Sequence, residues 1–381
     1  MGKGKRMKVL FLGHYKEGSG WANAAISYIL AMDAAGIDVV CRSVRLTYDT
    51  DPVPDRILEL EEKSSSGCDI CIQNLLPHHL VGSKQFKKNI AIFFSESSGI
   101  KVTPWFIQLQ QMDEVWVPNS DLKTSLIEDG LEEAGTSVKL IPCPANLKKY
   151  KKKYRDMTIK GIDDKFTFYY IGDLNERKNI TSMVKAFHSE FDRSEPVSLL
   201  LKVRKFGVEP SELNSHVHTL CGTTKSKLRL YQDINDYHKE IVIPEHLDEN
   251  EINALHQYGD CFITVSHGEG WSIPAFDAMC FGSTPICSNV GGPKDFIDQS
   301  NPSTGSLISG VGAICDQSDP AFPELFSGRE SWFTPNELQV KEKMRYYYEN
   351  RDKIDRGVGL QQGEKFSYEE IGNQIKECLE V

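Results

Sequence analysis

The pattern of apolar and polar positions predicts strands and helices that alternate along most of the chain. Short apolar runs bounded by turn residues indicate buried strands, and apolar residues spaced three and four apart indicate helices. A strand is predicted at Lys8–Leu12, a helix over Trp21–Ala35 that Gly36 ends, and a second strand at Ile37–Cys41. Alternation of this kind is typical of a parallel sheet covered by helices.

The alternation continues on both sides of one polar interruption, the tract Tyr150–Asp164. Before it, a helix is predicted over Asp121–Gly130 with Ser120 as its cap. The other predicted strands before it are Ile70–Gln73, Ile90–Phe94, Glu114–Val117 and Val138–Ile141. The elements predicted after it are strands Phe166–Ile171, Val197–Val203 and Glu240–Ile243, and helices Ile180–Phe191 and Asn250–His256.

Two series of alternating strands and helices, similar in length, predict an α/β protein with two Rossmann-like domains facing a central cleft. We place the first domain at residues 1–158 and the second at residues 159–364, and assign residues 365–381 to a C-terminal helix. Ligands of such sheets bind at the carboxyl ends of the strands, so loops that follow strands are the candidate sites.

The most informative such loop lies between predicted strands at Asp260–Ser266 and Thr284–Ser288. Pro274 fits the first turn of the helix that follows this loop, and Gly282 fits the end of the helix. Backbone N–H groups at such a helix start attract an anion such as phosphate. Two carboxylates flank them and are able to accept hydrogen bonds from sugar hydroxyls. The residues concerned are Glu269, Gly270, Trp271, Ser272, Ile273 and Asp277.

This stretch resembles the acid-x7-acid signature of retaining glycosyltransferases with the GT-B fold, family 4 in particular. The resemblance implies that Glu269 holds the donor sugar and Asp277 the nucleotide ribose, although the family usually has Glu at the second position. It also implies that the C-terminal helix returns towards the N-terminal domain. The alternative for the motif is a plain buried helix of a parallel α/β domain.

A second loop, Gly172–Asn179, resembles the first loop of the family's C-terminal domain. Lys178 matches a lysine that contacts the donor diphosphate there, and the alternative is a surface lysine at a helix start. Asp173 stands where the family usually has Arg, which reverses the charge at that position. The second cation for the leaving phosphate is therefore open among Arg177, Arg204 and Lys202.

The turn from the first strand to the first helix contains Gly18 and Gly20, whose amides could cradle phosphate. As a dinucleotide fingerprint it is incomplete, since Asn23 occupies the place of the third glycine. In family 4 the equivalent loop approaches the donor phosphates and the acceptor. Glu96 also resembles an acidic family position and is our candidate on the acceptor side, unless it only caps local amides.

These considerations give three predicted catalytic residues, Glu269, Lys178 and Glu96. His267 either touches the donor or packs on its own loop. The predicted donor-binding residues are Gly18, Gly20, Arg177, Arg204, His267, Gly268, Gly270, Trp271, Ser272, Ile273 and Asp277.

The composition of this chain of 381 residues bears on its location in the cell and on its binding partners. The sequence has no apolar run long enough to span a membrane and no secretory signal pattern. Its cysteines are scattered in apolar runs, as is typical of reduced, buried thiols. We therefore expect a cytoplasmic protein. The net charge is −10, yet Lys148–Arg155 contains six basic residues and no acid. This cluster could meet an anionic membrane, a phosphorylated acceptor or nucleic acid, or be a solvated interdomain segment, and nucleic acid is not favoured overall.

The sequence thus predicts a metal-independent, retaining transfer of a sugar from a nucleotide-sugar to a glycan, glycolipid or other hydroxyl acceptor. No cofactor is expected, because the nucleotide-sugar is a substrate, and no histidine spacing indicates a metal site. A nucleotide-sugar 2-epimerase and a catalytically inactive nucleotide-sugar or carbohydrate-binding module stay open. A NAD-dependent oxidoreductase comes last, given the incomplete fingerprint.

Overall fold

The computed structural model describes residues 7–46, 51–155, 157–162, 164–315 and 328–380. The chain forms two compact units. The first consists of Met1–Leu147, Ile314–Ser331 and Glu364–Val381, and the second of Lys148–Ala313 and Trp332–Gly363. The domain limits drawn from the sequence stay predictions.

The first unit is built on a six-stranded parallel sheet in the order β2-β1-β3-β4-β5-β6. The six strands are β1 (Lys8–Gly13), β2 (Asp38–Ser43), β3 (Ile70–Asn74), β4 (Lys88–Ile92), β5 (Glu114–Val117) and β6 (Ser137–Leu140). Three neighbouring strands, β3, β4 and β5, are buried over almost their whole length, as expected for a sheet covered on both faces.

Helices cover this sheet, and the last helix of the chain belongs to the same unit. The helices are α1 (Gly20–Ala34), α2 (Asp55–Glu62), α3 (Pro104–Leu109), α4 (Ser120–Glu128) and, after the second unit, α13 (Tyr368–Glu380). Helix α13 packs so closely on α1 that a Cβ at Gly372 would lie 2.3 Å from the carbonyl oxygen of Ala31. The predicted cap Ser120 is the first residue of α4 instead, because the side chain of Asn119 accepts from the Leu122 amide and caps the helix.

The second unit also contains a six-stranded parallel sheet with helices, and its strand order is β12-β11-β10-β7-β8-β9. Its strands are β7 (Phe166–Asp173), β8 (Val197–Arg204), β9 (Ile241–Ile243), β10 (Cys261–Thr264), β11 (Ile286–Ser288) and β12 (Ser306–Ile308). Its helices are α6 (Ile180–Glu190), α7 (Pro210–Leu228), α8 (Glu249–Tyr258), α9 (Ile273–Cys280), α10 (Pro293–Phe296), α11 (Glu337–Glu349) and α12 (Val358–Gly363). The short α5 (Leu147–Tyr150) lies where the first unit ends and the second begins.

A two-stranded sheet of β13 (Gly310–Ile314) and β14 (Ser331–Pro335) completes the described structure. Among the described residues, no helix combines the length and the apolar character needed to cross a membrane. The prediction of two Rossmann-like halves is confirmed, because each unit has its own parallel sheet with helical connections.

A buried charge network holds α6 and α7 to the edge of the second sheet. Glu240 bonds through Oε1 to Nε2 of His188 at 2.5 Å and through Oε2 to Nζ of Lys225 at 2.7 Å. Burial alone would raise the pKa of Glu240, but its interactions with His188 and Lys225 outweigh burial and lower the pKa to about 2. The pKa of Glu240 in the folded protein lies below its ordinary value of 4.5, so the ionised carboxylate stabilises the fold above pH 4.5. This contribution is lost as the pH falls from 4.5 towards 2.

We expect Glu240→Gln to lower the free energy of unfolding at neutral pH by about 3 kcal/mol, since it leaves Lys225 buried without its counter-charge. The difference from the wild type should shrink below the ordinary carboxyl pKa. Urea unfolding followed by tryptophan fluorescence at neutral and acidic pH measures both effects. Glu212→Gln, at an exposed acid of α7, is the matched control. Equal stability of wild type and Glu240→Gln at neutral pH would show that the network is not stabilising.

Candidate functional site

The candidate site lies at the point where the strand order of the second sheet reverses. The chain runs from β7 outward to β8 and β9, then returns to the other side of β7 as β10. The loops after β7 and β10 therefore leave neighbouring strands in opposite directions and open a crevice at the carboxyl edge. They are residues 174–179 and 265–272, the two loops that the sequence singled out.

Glu269 is the centre of this site, and it is almost completely buried. Its Oε1 lies 2.7 Å from Nζ of Lys178 and accepts a hydrogen bond of 2.6 Å from Oγ of Ser266. Its Oε2 lies 3.8 Å from Nη1 of Arg177, which is beyond hydrogen-bonding distance. The second oxygen therefore keeps the capacity to accept a hydrogen bond from a ligand hydroxyl.

The charge state of Glu269 follows from its two cationic neighbours. Burial alone would raise the pKa of this carboxyl group. The charges of Lys178 and Arg177, with the hydrogen bonds from Lys178 and Ser266, outweigh burial and hold the pKa below its ordinary value. Glu269 is thus an ionised hydrogen-bond acceptor at neutral pH and is unsuited to carry a proton.

The loop that carries Lys178 is fastened to the loop that carries Glu269. Asn175 caps a short 3₁₀ turn through its side chain, which accepts from the Lys178 amide, and Asn179 ends the turn with a φ of 49°. The Asn179 side chain donates to the carbonyl of Val265 at 3.1 Å. Arg177 Nη1 donates to the carbonyl of Gly268 at 2.7 Å. These bonds fix the position of Lys178 relative to Glu269.

His267 joins this pair of loops to β14. Its amide donates to the carbonyl of Arg177, and its own carbonyl accepts from the amide of Phe333. Its ring Nδ1 bonds to the Phe333 carbonyl at 2.8 Å, and the ring stacks on that of Trp332 with centroids 5.4 Å apart. The ring of His267 thus packs on β14, and its contact with the donor stays a prediction.

A pair of glycines lies directly beneath the motif loop. A Cβ at Gly291, whose φ is +66°, would come within 1.8 Å of the carbonyl oxygen of Glu269. A Cβ at Gly292 would come within 2.4 Å of the carbonyl oxygen of Trp271. The backbone of the motif loop can take this path only because both side chains are absent.

Helix α9 begins directly after the motif loop. Ser272, with a φ of 64°, precedes Ile273, the first residue of the helix, and Pro274 occupies the first turn as predicted. The indole of Trp271 is buried against the rings of Phe276 and Phe296, at centroid distances of 5.9 and 5.4 Å. The side chain of Trp271 is thus part of the core, whereas the backbone of Trp271 and Gly270 is part of the motif loop.

Asp173, the acid that stands where the family usually has Arg, forms an ion pair with a residue of the neighbouring strand. Arg204 is in register with Asp173 across β7 and β8, and its Nε donates to Asp173 Oδ1 at 2.7 Å. Both side chains are about half exposed at the carboxyl edge. Lys202 is buried instead, its Nζ donates to the carbonyl of Val203, and burial lowers its pKa. Arg177 is therefore the second cation that lies next to Glu269.

Asp277 is not among the residues that surround Glu269. Its Oδ2 lies 2.8 Å from Nζ of Lys149, and its Oδ1 accepts a 2.6 Å hydrogen bond from the hydroxyl of Tyr150. Both carboxylate oxygens that the sequence assigned to the ribose thus have protein partners. Nothing in the sequence indicated these partners, since they lie more than a hundred residues earlier in the chain.

The remaining predicted residues belong to the first unit and are described separately. Gly18 has a φ of +60°, and a Cβ there would come within 1.8 Å of Asp51 Oδ2. Gly20 starts α1 after the cap Ser19, with open space where its Cβ would be. Glu96 is half-buried in the loop after β4. Their predicted roles stay predictions. Among the described residues, no group of His, Cys, Asp or Glu is arranged to hold a metal ion.

Comparison with known proteins agrees with the fold. Residues 153–316 match the family model described as glycosyl transferases group 1. HepE from Anabaena, solved with UDP-glucose, is 13% identical over 98% of this chain and 99% of its own, with a TM-score of 0.64. Sucrose-phosphate synthase from Thermosynechococcus elongatus is 15% identical over 98% of each chain, also with a TM-score of 0.64.

A third structure of the same kind is the lipopolysaccharide outer core galactosyltransferase WaaB, 13% identical over 98% of this chain and 99% of its own, with a TM-score of 0.61. No curated protein matches the sequence. At these identities the solved structures establish the GT-B fold. The fold and the matched domain together define the class, a glycosyltransferase of the GT-B fold. The match at residues 153–316 and the shared fold confirm the resemblance to GT-B glycosyltransferases that the sequence indicated, while retention and family 4 stay predictions.

We expect Gly291→Ala to displace the motif loop and to lower the free energy of unfolding by more than 2 kcal/mol, because its Cβ would overlap the Glu269 carbonyl. Gly207→Ala is the matched control. That glycine also has a positive φ, +71°, but open space around its Cβ, so it should lose only about 1–2 kcal/mol from backbone strain. Urea unfolding measures both, and equal losses would show that the close approach at Gly291 is unimportant.

Proposed function

We propose that this chain is a retaining glycosyltransferase that moves a sugar from a nucleotide-diphosphate donor to an acceptor hydroxyl without a metal ion. The observation that supports this proposal is the buried Glu269–Lys178 pair at the reversal point of the second sheet. It places one ionised acceptor and two cations next to the start of α9. HepE, which shares the fold over nearly the full chain, is solved with a nucleotide-sugar of this kind, UDP-glucose.

Each of these groups suits one part of the donor. Lys178 and Arg177 supply positive charge where the diphosphate leaving group gains negative charge, and amides at the start of α9 add their dipoles. Glu269 accepts hydrogen bonds from hydroxyls of the transferred sugar through Oε2. Because hydrogen bonds to an ionised group are stronger than neutral ones, the sugar is held firmly while its anomeric bond breaks.

The reaction that follows from this arrangement needs no proton from Glu269. The bond from the anomeric carbon to the diphosphate oxygen breaks, and the acceptor oxygen bonds to the same face of that carbon. The acceptor proton passes to the leaving phosphate, so the products are a glycoside and a nucleoside diphosphate. A lowered pKa for Glu269 fits this scheme, since the residue stays ionised throughout.

We expect Glu269→Gln and Lys178→Met each to reduce transfer by at least about 100-fold, because each removes a charge that acts on the donor. The donor is first found by a thermal-shift screen of UDP-, GDP-, ADP- and TDP-sugars, since a ligand raises the melting temperature of the folded state. Turnover is then measured as nucleoside diphosphate released with mixed glycan and lipid acceptors.

Two control variants accompany this experiment. Lys205→Met removes an exposed lysine and should leave turnover unchanged. The double variant Glu269→Gln/Lys178→Met removes both charges of the buried pair together, so circular dichroism should show that it is folded although inactive. Wild-type turnover by Glu269→Gln would refute the site, and an inverted anomeric centre in the product would refute retention.

The two alternatives give different results in the same assay. A 2-epimerase would convert the donor in the absence of any acceptor. An inactive binding module would show a thermal shift with a nucleotide-sugar but no release of nucleoside diphosphate with any acceptor.

We also propose that Lys148–Arg155 contacts an anionic membrane surface. Lys151, Lys152, Lys153 and Arg155 are exposed, and none of them forms an ion pair with another described residue. Each such cation contributes about 1 kcal/mol near an anionic bilayer at ordinary salt. Three lysines in succession, with an arginine two positions further on, therefore suit a lipid surface better than isolated charges would.

We expect the wild type to co-float with vesicles of phosphatidylglycerol and phosphatidylcholine and the triple variant Lys151→Glu/Lys152→Glu/Lys153→Glu to stay in solution. Pure phosphatidylcholine vesicles should recruit neither protein, and raised salt should release the wild type. The control variant makes the same change of charge at three other exposed lysines of the second unit, Lys205, Lys227 and Lys239. Equal flotation of wild type and triple variant would refute the contact.

A further inference from the structure

Phe206 is an aromatic residue that the fold leaves in solvent. It is 86% exposed, more than any other large apolar residue that the structure describes. An apolar ring gains free energy when it leaves water, and at Phe206 folding realises little of that gain. A ligand that covers the ring would therefore gain affinity from this contact.

A tight turn holds Phe206 in its exposed position. The amide of Val208 donates to the carbonyl of Lys205 at 3.3 Å, and Gly207 between them has a φ of +71°. A positive φ at the third position is typical of a type II turn, and glycine adopts it without strain. Val208, the last residue of the turn, packs against the core of the second unit. The turn is thus anchored at its base, with Phe206 at its tip.

This turn lies at the carboxyl edge of the second sheet, beside the loop that carries Lys178. Arg204 at the end of β8 is in register with Asp173 at the end of β7. The amide of Leu174 donates to the carbonyl of Arg204 at 2.8 Å, so the loops after the two strands begin side by side. Neighbouring strands are about 4.8 Å apart, and Phe206 is two residues, at most about 7 Å, beyond β8. Phe206 is therefore one strand away from the loop of Lys178.

The contacts proposed above for the donor concern its diphosphate and its transferred sugar. Lys178 and Arg177 suit the first of these parts, and Glu269 suits the second. The third part is the nucleobase, a flat aromatic system joined to the diphosphate through a ribose. Every base has such a flat face, and stacking of this face on an aromatic side chain strengthens binding. An exposed aromatic ring at the same edge of the sheet as the two cations has the chemistry to bind a base.

We propose that Phe206 stacks on the nucleobase of the donor. This deepens the proposed function and rests on it. Because stacking does not depend on which hydrogen-bonding groups the base carries, Phe206 strengthens the binding of nucleotides as a class. Selection among the bases then falls to other groups. The stacked base also removes from water an apolar surface that folding alone leaves exposed.

Calorimetric titration with UDP, GDP and ADP, and with pyrophosphate, tests this proposal. We expect Phe206→Ala to raise the Kd of whichever nucleotide binds by about tenfold, because it removes the stacking surface. Phe206→Trp keeps an aromatic surface and should stay within about threefold of the wild type. Pyrophosphate has no base, so Phe206→Ala should leave its affinity unchanged.

Leu230→Ala is the matched control, since it also truncates an exposed apolar residue of the second unit. Leu230 lies beyond the far end of α7, a helix of 19 residues that spans about 28 Å. This variant should bind every nucleotide like the wild type.

The fluorescence of Phe206→Trp gives a second measurement of the same contact. A base that stacks on an indole quenches its emission. We expect the nucleotide that binds to quench Phe206→Trp more strongly than Leu230→Trp, and pyrophosphate to quench neither.

The outcomes separate this proposal from the function on which it rests. An unchanged nucleotide Kd for Phe206→Ala would overturn the stacking contact and leave the proposed function standing. An equal loss of affinity for nucleotide and for pyrophosphate would also overturn it, since the variant would then disturb the loop and not a base contact. If the wild type binds none of the three nucleotides, the proposed function falls and the stacking contact falls with it.

Discussion

The site depends on one buried ion pair, Glu269 with Lys178. A carboxylate this far from solvent is costly unless a cation and further hydrogen bonds accompany it. The cation comes from the loop after β7 and the carboxylate from the loop after β10, so the pair can form only where these two strands are neighbours. The strand order thus determines where the charges meet. The glycines beneath the loop and the bonds of Asn179 and Arg177 keep them at that distance.

Pairing of opposite charges also explains how Asp173 can stand where the family usually has Arg. The negative charge of Asp173 is balanced by Arg204 on the neighbouring strand. The cations that act beside Glu269 are then Lys178 and Arg177, which leave the same 3₁₀ turn. One short turn therefore places both of these positive charges near Glu269.

Much of the fold could be predicted from the sequence, because buried parallel strands are unbroken apolar runs. The strand predicted at Glu114–Val117 has the same limits in the structure, and Pro274 lies in the first turn of its helix as predicted. Helices α7 and α11 were not predicted, since most of their residues are polar and only a few contact the core. Within the site, Lys178 and Glu269 could be found by resemblance. Trp332 and Lys149 could not, because only tertiary packing brings them to the motif. Ser266 lies three residues before Glu269, but its hydrogen bond depends on the path of the loop, which the residue types do not indicate.

The two acids of the motif lie in different local environments. Glu269 lies before α9 in a loop that glycines hold close to the sheet, and one of its oxygens keeps its capacity for a ligand. Asp277 lies a full turn into the helix, beside aromatic rings and an approaching lysine. Its side chain is one methylene shorter than the usual glutamate, so its carboxylate stays close to the helix, where Lys149 and Tyr150 reach it. The two acids of the motif therefore have different surroundings, one at the carboxyl edge of the sheet and the other inside a helix beside Lys149 and Tyr150.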